Sequence, residues 1–264
     1  MLRQRLLTVL IVLPAFLGAL FWLSRPLWGA AMLVVVLLAC NEWAKLASLH
    51  GIERILFTIA VLTGCVIASL AQPMTSGRVL LAVGVAFWIG VAPLWLAGKL
   101  TATPGRLAMA GWVVLVCAWY ALYLLQVSPA RLVALLAVVW IADSAAYFSG
   151  RRFGLHKLAP TISPGKTWEG VLGASVAVGV YYALLWLLVA PHFLGNNLSV
   201  DLLLIGGILI LSVEGDLFES WMKRRAGLKD SGSILPGHGG VLDRIDGALA
   251  VLPLAAFTAV ALGA

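Results

Sequence analysis

Charge is what this sequence has least of. Of 264 residues only 11% are charged, while 62% are hydrophobic and the mean hydropathy is +1.03. A water-soluble domain carries about 25% charged residues, so composition excludes a soluble globular fold. Cysteine is scarce too: Cys40, Cys65 and Cys117 each lie in an apolar run, with no Cys-x-x-Cys pair. That excludes a disulfide framework or a zinc site and leaves three small buried hydrophobes. No Ser/His/Asp or Cys/His set is evident, and there is no internal repeat or low-complexity tract. The net charge of +7 and pI near 9.7 do not point to nucleic acid in so apolar a chain. Basic residues here orient the protein in a bilayer and attract anionic lipids or substrates.

Long hydrophobic runs fill the space that charge leaves. A helix needs about 20 apolar residues to cross the hydrocarbon core. Nine runs meet that ruler: about 6–23, 27–47, 55–72, 79–97, 107–127, 131–149, 169–190, 199–217 and 247–263. Pro26, Pro73, Pro104-Gly105, Ser128-Pro129 and Pro191 punctuate them. Runs this long must be helices, because strands in lipid have to close into a barrel. The expected class is therefore all-α, a polytopic membrane protein of about nine transmembrane helices. Three regions suggest themselves: an N-terminal three-helix unit (1–74), a two-helix hairpin (75–130) and a C-terminal four-helix unit (131–264). Arg3 and Arg5 before the first run resemble a signal peptide, but the run is long and lacks a small-x-small cleavage site, so a retained span is expected. With the N-terminus on the cytoplasmic side, all of the 18 Lys and Arg residues except Arg25, Arg78 and Arg131 fall on that side. This is a strong positive-inside bias.

Two long polar loops, 150–168 and 218–246, stand on that same side, and functional segments are commonly of this kind. Eight of the 11 acidic residues lie in or near them: Asp143, Glu169, Glu214, Asp216, Glu219, Asp230, Asp243 and Asp246. Charges at membrane depth cost at least ~2.5 kcal/mol each, so they line polar cavities or bind something. Lys223, Arg224 and Lys229 suit phosphate oxygens. Gly237-His238-Gly239-Gly240 lets backbone N–H groups approach a phosphate. Asp243 and Asp246, three apart, share one helix face and suit a hard divalent cation, with Asp216 completing the site. In the other loop, Ser163-Pro164-Gly165-Lys166-Thr167 is not a Walker A motif: Pro160 replaces the required first glycine, and no strand is expected before it. It reads as a turn presenting Ser163, Lys166 and Thr167 at a helix N-terminus, itself an anion site. His156 adds only polarity to its loop. The tryptophans read mostly as an interfacial belt.

The segment Ser220-x-x-Lys223-Arg224-x4-Lys229-Asp230-x-Gly232-x-x-Leu235-Pro236-Gly237-His238-Gly239-Gly240-x-x-Asp243-Arg244-x-Asp246 resembles the signature of the phosphatidate cytidylyltransferases, or CDP-diacylglycerol synthases. It runs for 27 residues without a gap. Ala142-Asp143-Ser144-x-Ala146-Tyr147, Ser163-Pro164-Gly165-Lys166-Thr167 and Gly215-Asp216-Leu217-x-Glu219-Ser220 resemble the same family. The strong resemblance covers about 140 to 250, and the first five spans match in general character, with a scaffolding and dimerising role. It implies an enzyme joining CTP to phosphatidate, with release of pyrophosphate, in a bacterial inner membrane. It also implies magnesium, a possible second monovalent cation, and a homodimer. By motif position it makes Asp216 and Asp246 the leading metal ligands, with Asp243 close by. Lys223, Arg224, Lys229, Asp230, His238 and Arg244 are the expected catalytic group, and Ser163, Lys166, Thr167, Ser220, Gly239 and Gly240 the expected substrate contacts. Asp143 and Glu219 are further candidates.

The reaction suits this residue set. The lipid phosphate is already an anionic nucleophile, so charge neutralisation and positioning are needed rather than a strong base. A transporter would spread polar residues along several spans, whereas these gather at one face. The pattern of a CDP-alcohol phosphotransferase is absent, since Asp246-Gly247 is followed by Ala248-Leu249-Ala250.

Overall fold

The computed structural model describes residues 2–189, 194, 197–237 and 239–263. Among them nine long helices take up the apolar runs: α1 (Leu2–Trp22), α2 (Arg25–Leu46), α3 (Gly51–Ser69), α4 (Pro73–Leu96), α5 (Pro104–Leu125), α6 (Pro129–Phe153), α7 (Trp168–Leu188), α8 (Leu198–Arg225) and α9 (Leu242–Ala261). Helices α2 to α9 are each long and apolar enough to cross a membrane. The chain is thus an all-α, multi-pass membrane protein. Proline opens α2, α4, α5 and α6 in the first turn, where its missing N–H costs nothing and its fixed φ is already helical. Thr103, Thr167 and Asn197 cap α5, α7 and α8 through side-chain oxygens.

Several boundaries differ from the apolar ruler, and three of them bear on the site. Helix α6 continues past 149 to Phe153, α8 past 217 to Arg225, and α9 begins at Leu242 rather than 247. The ruler measures membrane thickness, not helix length. The added turns of α6 and α8 carry Arg151, Arg152, Lys223, Arg224 and Arg225, cations that suit a helix C-terminus. Consequently Ser220, Lys223 and Arg224 are helical, and the connecting loop shrinks to 226–241. A second difference lies before α7. Residues Lys157–Ala159 (β1) and Ser163–Thr167 (β2) form a small antiparallel hairpin. A strand therefore does precede Ser163, though in a hairpin unlike the Walker A setting.

Helix α4 contains two widened turns, at Pro73–Gly77 and Phe87–Val91. The second brings Phe87 and Trp88 against Phe218 of α8, with ring centroids 5.9 and 5.5 Å away. Trp43, Trp95 and Trp221 surround the same ring. Part of the tryptophan set therefore departs from the interfacial belt. Trp28, Trp43, Trp88, Trp95 and Trp119 are buried in the core. Trp28, Trp43 and Trp119 donate to the carbonyls of Leu122, Leu107 and Gly29 at 2.9–3.1 Å. An indole placed so packs an apolar body between helices while its single donor is satisfied.

Helix α9 is the hub, packing on α8, α5 and α4, while α6 and α7 form a tight pair. Outward faces such as Ile52, Ile55 and Ile59 of α3 and Leu172, Val176 and Val180 of α7 are exposed, as lipid-facing positions should be. Two hydrogen bonds gather the functional end: Thr8 donates to the Pro236 carbonyl at 3.0 Å, and Arg225 to that of Ala102 at 2.5 Å. At the opposite end Arg25 donates to Tyr123, and Gln126 to Leu23.

Candidate active site

The polar end holds two adjoining clusters. In the first, β2 delivers Lys166 to α8, where its ammonium meets Asp216 at 2.7 Å and the Val213 carbonyl at 3.3 Å. Ser220, one turn on from Asp216, donates to it at 3.3 Å. Asp246 from α9 has Asp216, Asp143 and Lys166 as electrostatic neighbours, and Asp143 from α6 has Asp216 and Lys166. Four elements therefore converge on three carboxylates and one lysine.

The second cluster fixes the 226–241 loop. Lys223 of α8 bridges Glu219 at 2.5 Å and Asp243 at 2.6 Å. Asp243 Oδ2 accepts from the backbone N–H of Ser231 (3.0 Å) and Gly240 (2.8 Å) and from the Ser231 hydroxyl (2.9 Å). Asp243 and Asp246, expected to face one cation together, are thus engaged separately. Asp243 is tied into the loop, while Asp246 has Asp216 and Asp143 as electrostatic neighbours and accepts from the Gly247 N–H at 2.8 Å. The physical reason lies in the loop. Its backbone donors reach the first turn of α9 and use the nearer carboxylate.

The remaining candidates sit around these clusters. Thr167 is buried, its hydroxyl accepting from Gly170 N–H at 3.1 Å as the α7 cap. Ser163 lies half-buried at the start of β2. Arg224, Lys229, Asp230 and Arg244 are exposed at the rim. Gly239, half-buried, adopts φ +84° in a turn closed by Leu235 N–H donating to its carbonyl at 3.0 Å, a conformation that favours glycine. His238 lies outside the described residues. His156 does more than add polarity: its ring Nδ1 meets Glu169 at 2.6 Å and its backbone N–H donates to the same carboxylate, fastening the hairpin to α7.

One participant was missed from the sequence. Glu42, on α2, is fully buried. Its carboxylate accepts from the N–H groups of Val241 and Leu242 at 2.9 and 2.8 Å and from the Ser231 hydroxyl at 2.9 Å. The available signal was a lone acid within an apolar span; its partners lie about 190 residues away and nothing in the sequence pairs them.

The donor set fits a hard divalent cation. Among the described residues no group of three or more His, Cys, Asp or Glu side chains is placed to hold a metal ion by itself. Magnesium needs none, since it is held by one or two carboxylates with substrate phosphates and water. Asp216 and Asp246, with Asp143 beside them and Lys166 as the nearby cation, suit that mode.

Known proteins bear on this arrangement. Residues 3–262 match the family model described as the cytidylyltransferase family. A phosphatidate cytidylyltransferase of Pseudomonas aeruginosa is 40% identical over 96% of this chain and 95% of its own length. One from Haemophilus influenzae is 35% identical over 96% of each. A third, from Brucella suis, reaches 52% identity over 47% of this chain and 44% of its own.

Proposed function

The chain belongs to the cytidylyltransferase family, and from that premise we propose that its polar end transfers the cytidylyl group of CTP to phosphatidate. An oxygen of the lipid phosphate attacks the α-phosphorus of CTP. The bond to the β-phosphate oxygen breaks, giving CDP-diacylglycerol and pyrophosphate for phospholipid synthesis. The observation that carries this reading is the convergence of Asp143, Asp216, Asp246 and Lys166 from four elements beside a Lys/Arg-rich rim. No base is needed to generate the nucleophile, so positioning and charge neutralisation supply the rate.

In this proposal Asp216 and Asp246 hold a magnesium ion, with Asp143 close by. When bound, such an ion neutralises charge on the polyphosphate and its leaving group. A second, monovalent cation belongs to the same proposal. Lys166 binds phosphate oxygens from the floor of the site, and Ser163 and Ser220 orient them. Arg224, Lys229 and Arg244 draw both anionic substrates in from the rim. Glu219 and Asp243 hold Lys223 in one orientation, so its charge is fixed before substrate arrives. The Lys and Arg bias supports a cytoplasmic position for this end in a bacterial inner membrane. A homodimer completes the proposal and is checked by cross-linking in detergent.

The test is conversion of labelled CTP to lipid-soluble product by purified protein with phosphatidate and magnesium. Product is expected from wild type and lost on chelation or in Asp246→Asn. Folded wild type that yields no labelled lipid refutes the reaction. An undiminished Asp246→Asn moves the cation elsewhere.

A further inference from the structure

Resting on that reading, we infer that Glu42 is a positioning residue of the active site, by which the N-terminal helices hold the 226–241 loop in its working geometry. Its carboxylate is fully buried in α2, yet no residue of its own half donates to it among the hydrogen bonds of the described residues. All three donors come from the catalytic loop and the start of α9. Two are the N–H groups of Val241 and Leu242, at the N-terminal end of α9, where orphan donors and the positive end of the helix dipole favour a carboxylate. The third is the hydroxyl of Ser231, itself buried.

Ser231 makes the link to chemistry direct. Its oxygen stands 2.9 Å from both Glu42 Oε2 and Asp243 Oδ2, and its single proton serves one of them at a time. Asp243 in turn holds Lys223, which pairs with Glu219. A continuous chain of polar contacts therefore runs from α2 through the loop to α8. The loop is shaped around the Glu42 carboxylate: a Cβ on Gly240 would strike both the Ser231 hydroxyl and the carboxylate, and one on Gly232 would strike the carboxylate. The loop thus leaves a socket for one acid, and the acid comes from α2. Asp246 lies one turn beyond Leu242 on the same helix, so whatever sets the entry of α9 also sets the carboxylate facing Asp216.

Glu42→Gln keeps the shape and one acceptor, but turns an NH2 group toward backbone donors. It is expected to lower kcat/KM for CTP at least about tenfold, a positioning loss, while KM for phosphatidate changes less than about twofold. Ser231→Ala, a smaller change, is expected to lower the same constant by about threefold. The double variant is expected to be no worse than Glu42→Gln alone, because both act on one chain of contacts. Activities are referred to folded, monodisperse protein, so a variant that merely misfolds is separated from one that misplaces the loop. If Ser231→Ala and folded Glu42→Gln both keep wild-type constants, Glu42 is an anchor without influence on catalysis and the inference fails. Inactive wild type under the same conditions instead refutes the cytidylyl-transfer reading.

Discussion

At the scale of single residues, the site works by holding charges that would otherwise repel or roam. Asp143, Asp216 and Asp246 gather three carboxyl groups near a single Lys166, a crowding that the proposed divalent cation would relieve. Asp216→Asn removes one oxygen of the proposed cation site and the ion-pair partner of Lys166 together. It is expected to lower kcat about 10²- to 10³-fold, the range for losing one preorganised electrostatic group, with the folded fraction unchanged in size-exclusion profiles. A loss within twofold would place the proposed cation away from Asp216. These acids were readable in the sequence because charge is so rare in it. Glu42 carried the same signal, but α2 offered no motif to say what it faced.

At the scale of elements, two short structures present the chemistry: the β1–β2 hairpin and the 226–241 loop. The hairpin is secured to α7 by Thr167 at its cap and by His156 on Glu169. Thr167→Val removes the capping oxygen from a buried position while keeping the volume. It should cost about 1 kcal/mol, as lost N-caps do, read as a lower melting temperature in detergent; Thr167→Ser should retain most of the stability. Equal melting temperatures for the two would show that the cap carries no weight here. The hairpin escaped the sequence reading because Ser163-Pro164-Gly165 has turn chemistry, and its pairing with Lys157–Ala159 needs the ends of α6 and α7 to be brought together. The extended α8 escaped for another reason. Hydropathy ends where lipid ends, whereas backbone hydrogen bonding continues into water.

At the scale of the whole molecule, the functional end collects the N-terminal part of α1, the 97–103 connection and the 226–241 loop, with Glu42 rising from α2 beneath them. Membership of the family fixes the reaction, and the orientation can be measured. Ser233 and Val127 are both exposed and lie toward opposite ends of the bundle, while the native Cys40, Cys65 and Cys117 are buried. With the functional end in the cytoplasm, Val127→Cys should react with an impermeant maleimide on intact cells, and Ser233→Cys only after permeabilisation. The reverse pattern would invert the topology. The sequence by itself determined the membrane class, the helix number, the clustering of acids and bases at one end and the signature that names the reaction. Each of these is written locally, in hydrophobic runs and fixed spacings. Only the tertiary structure decided that Asp243 serves the loop while Asp246 joins Asp216, that five tryptophans knit the core, and that an acid on α2 caps α9. Those outcomes depend on which donors lie within about 3 Å after packing, and helices far apart in the chain settle that together.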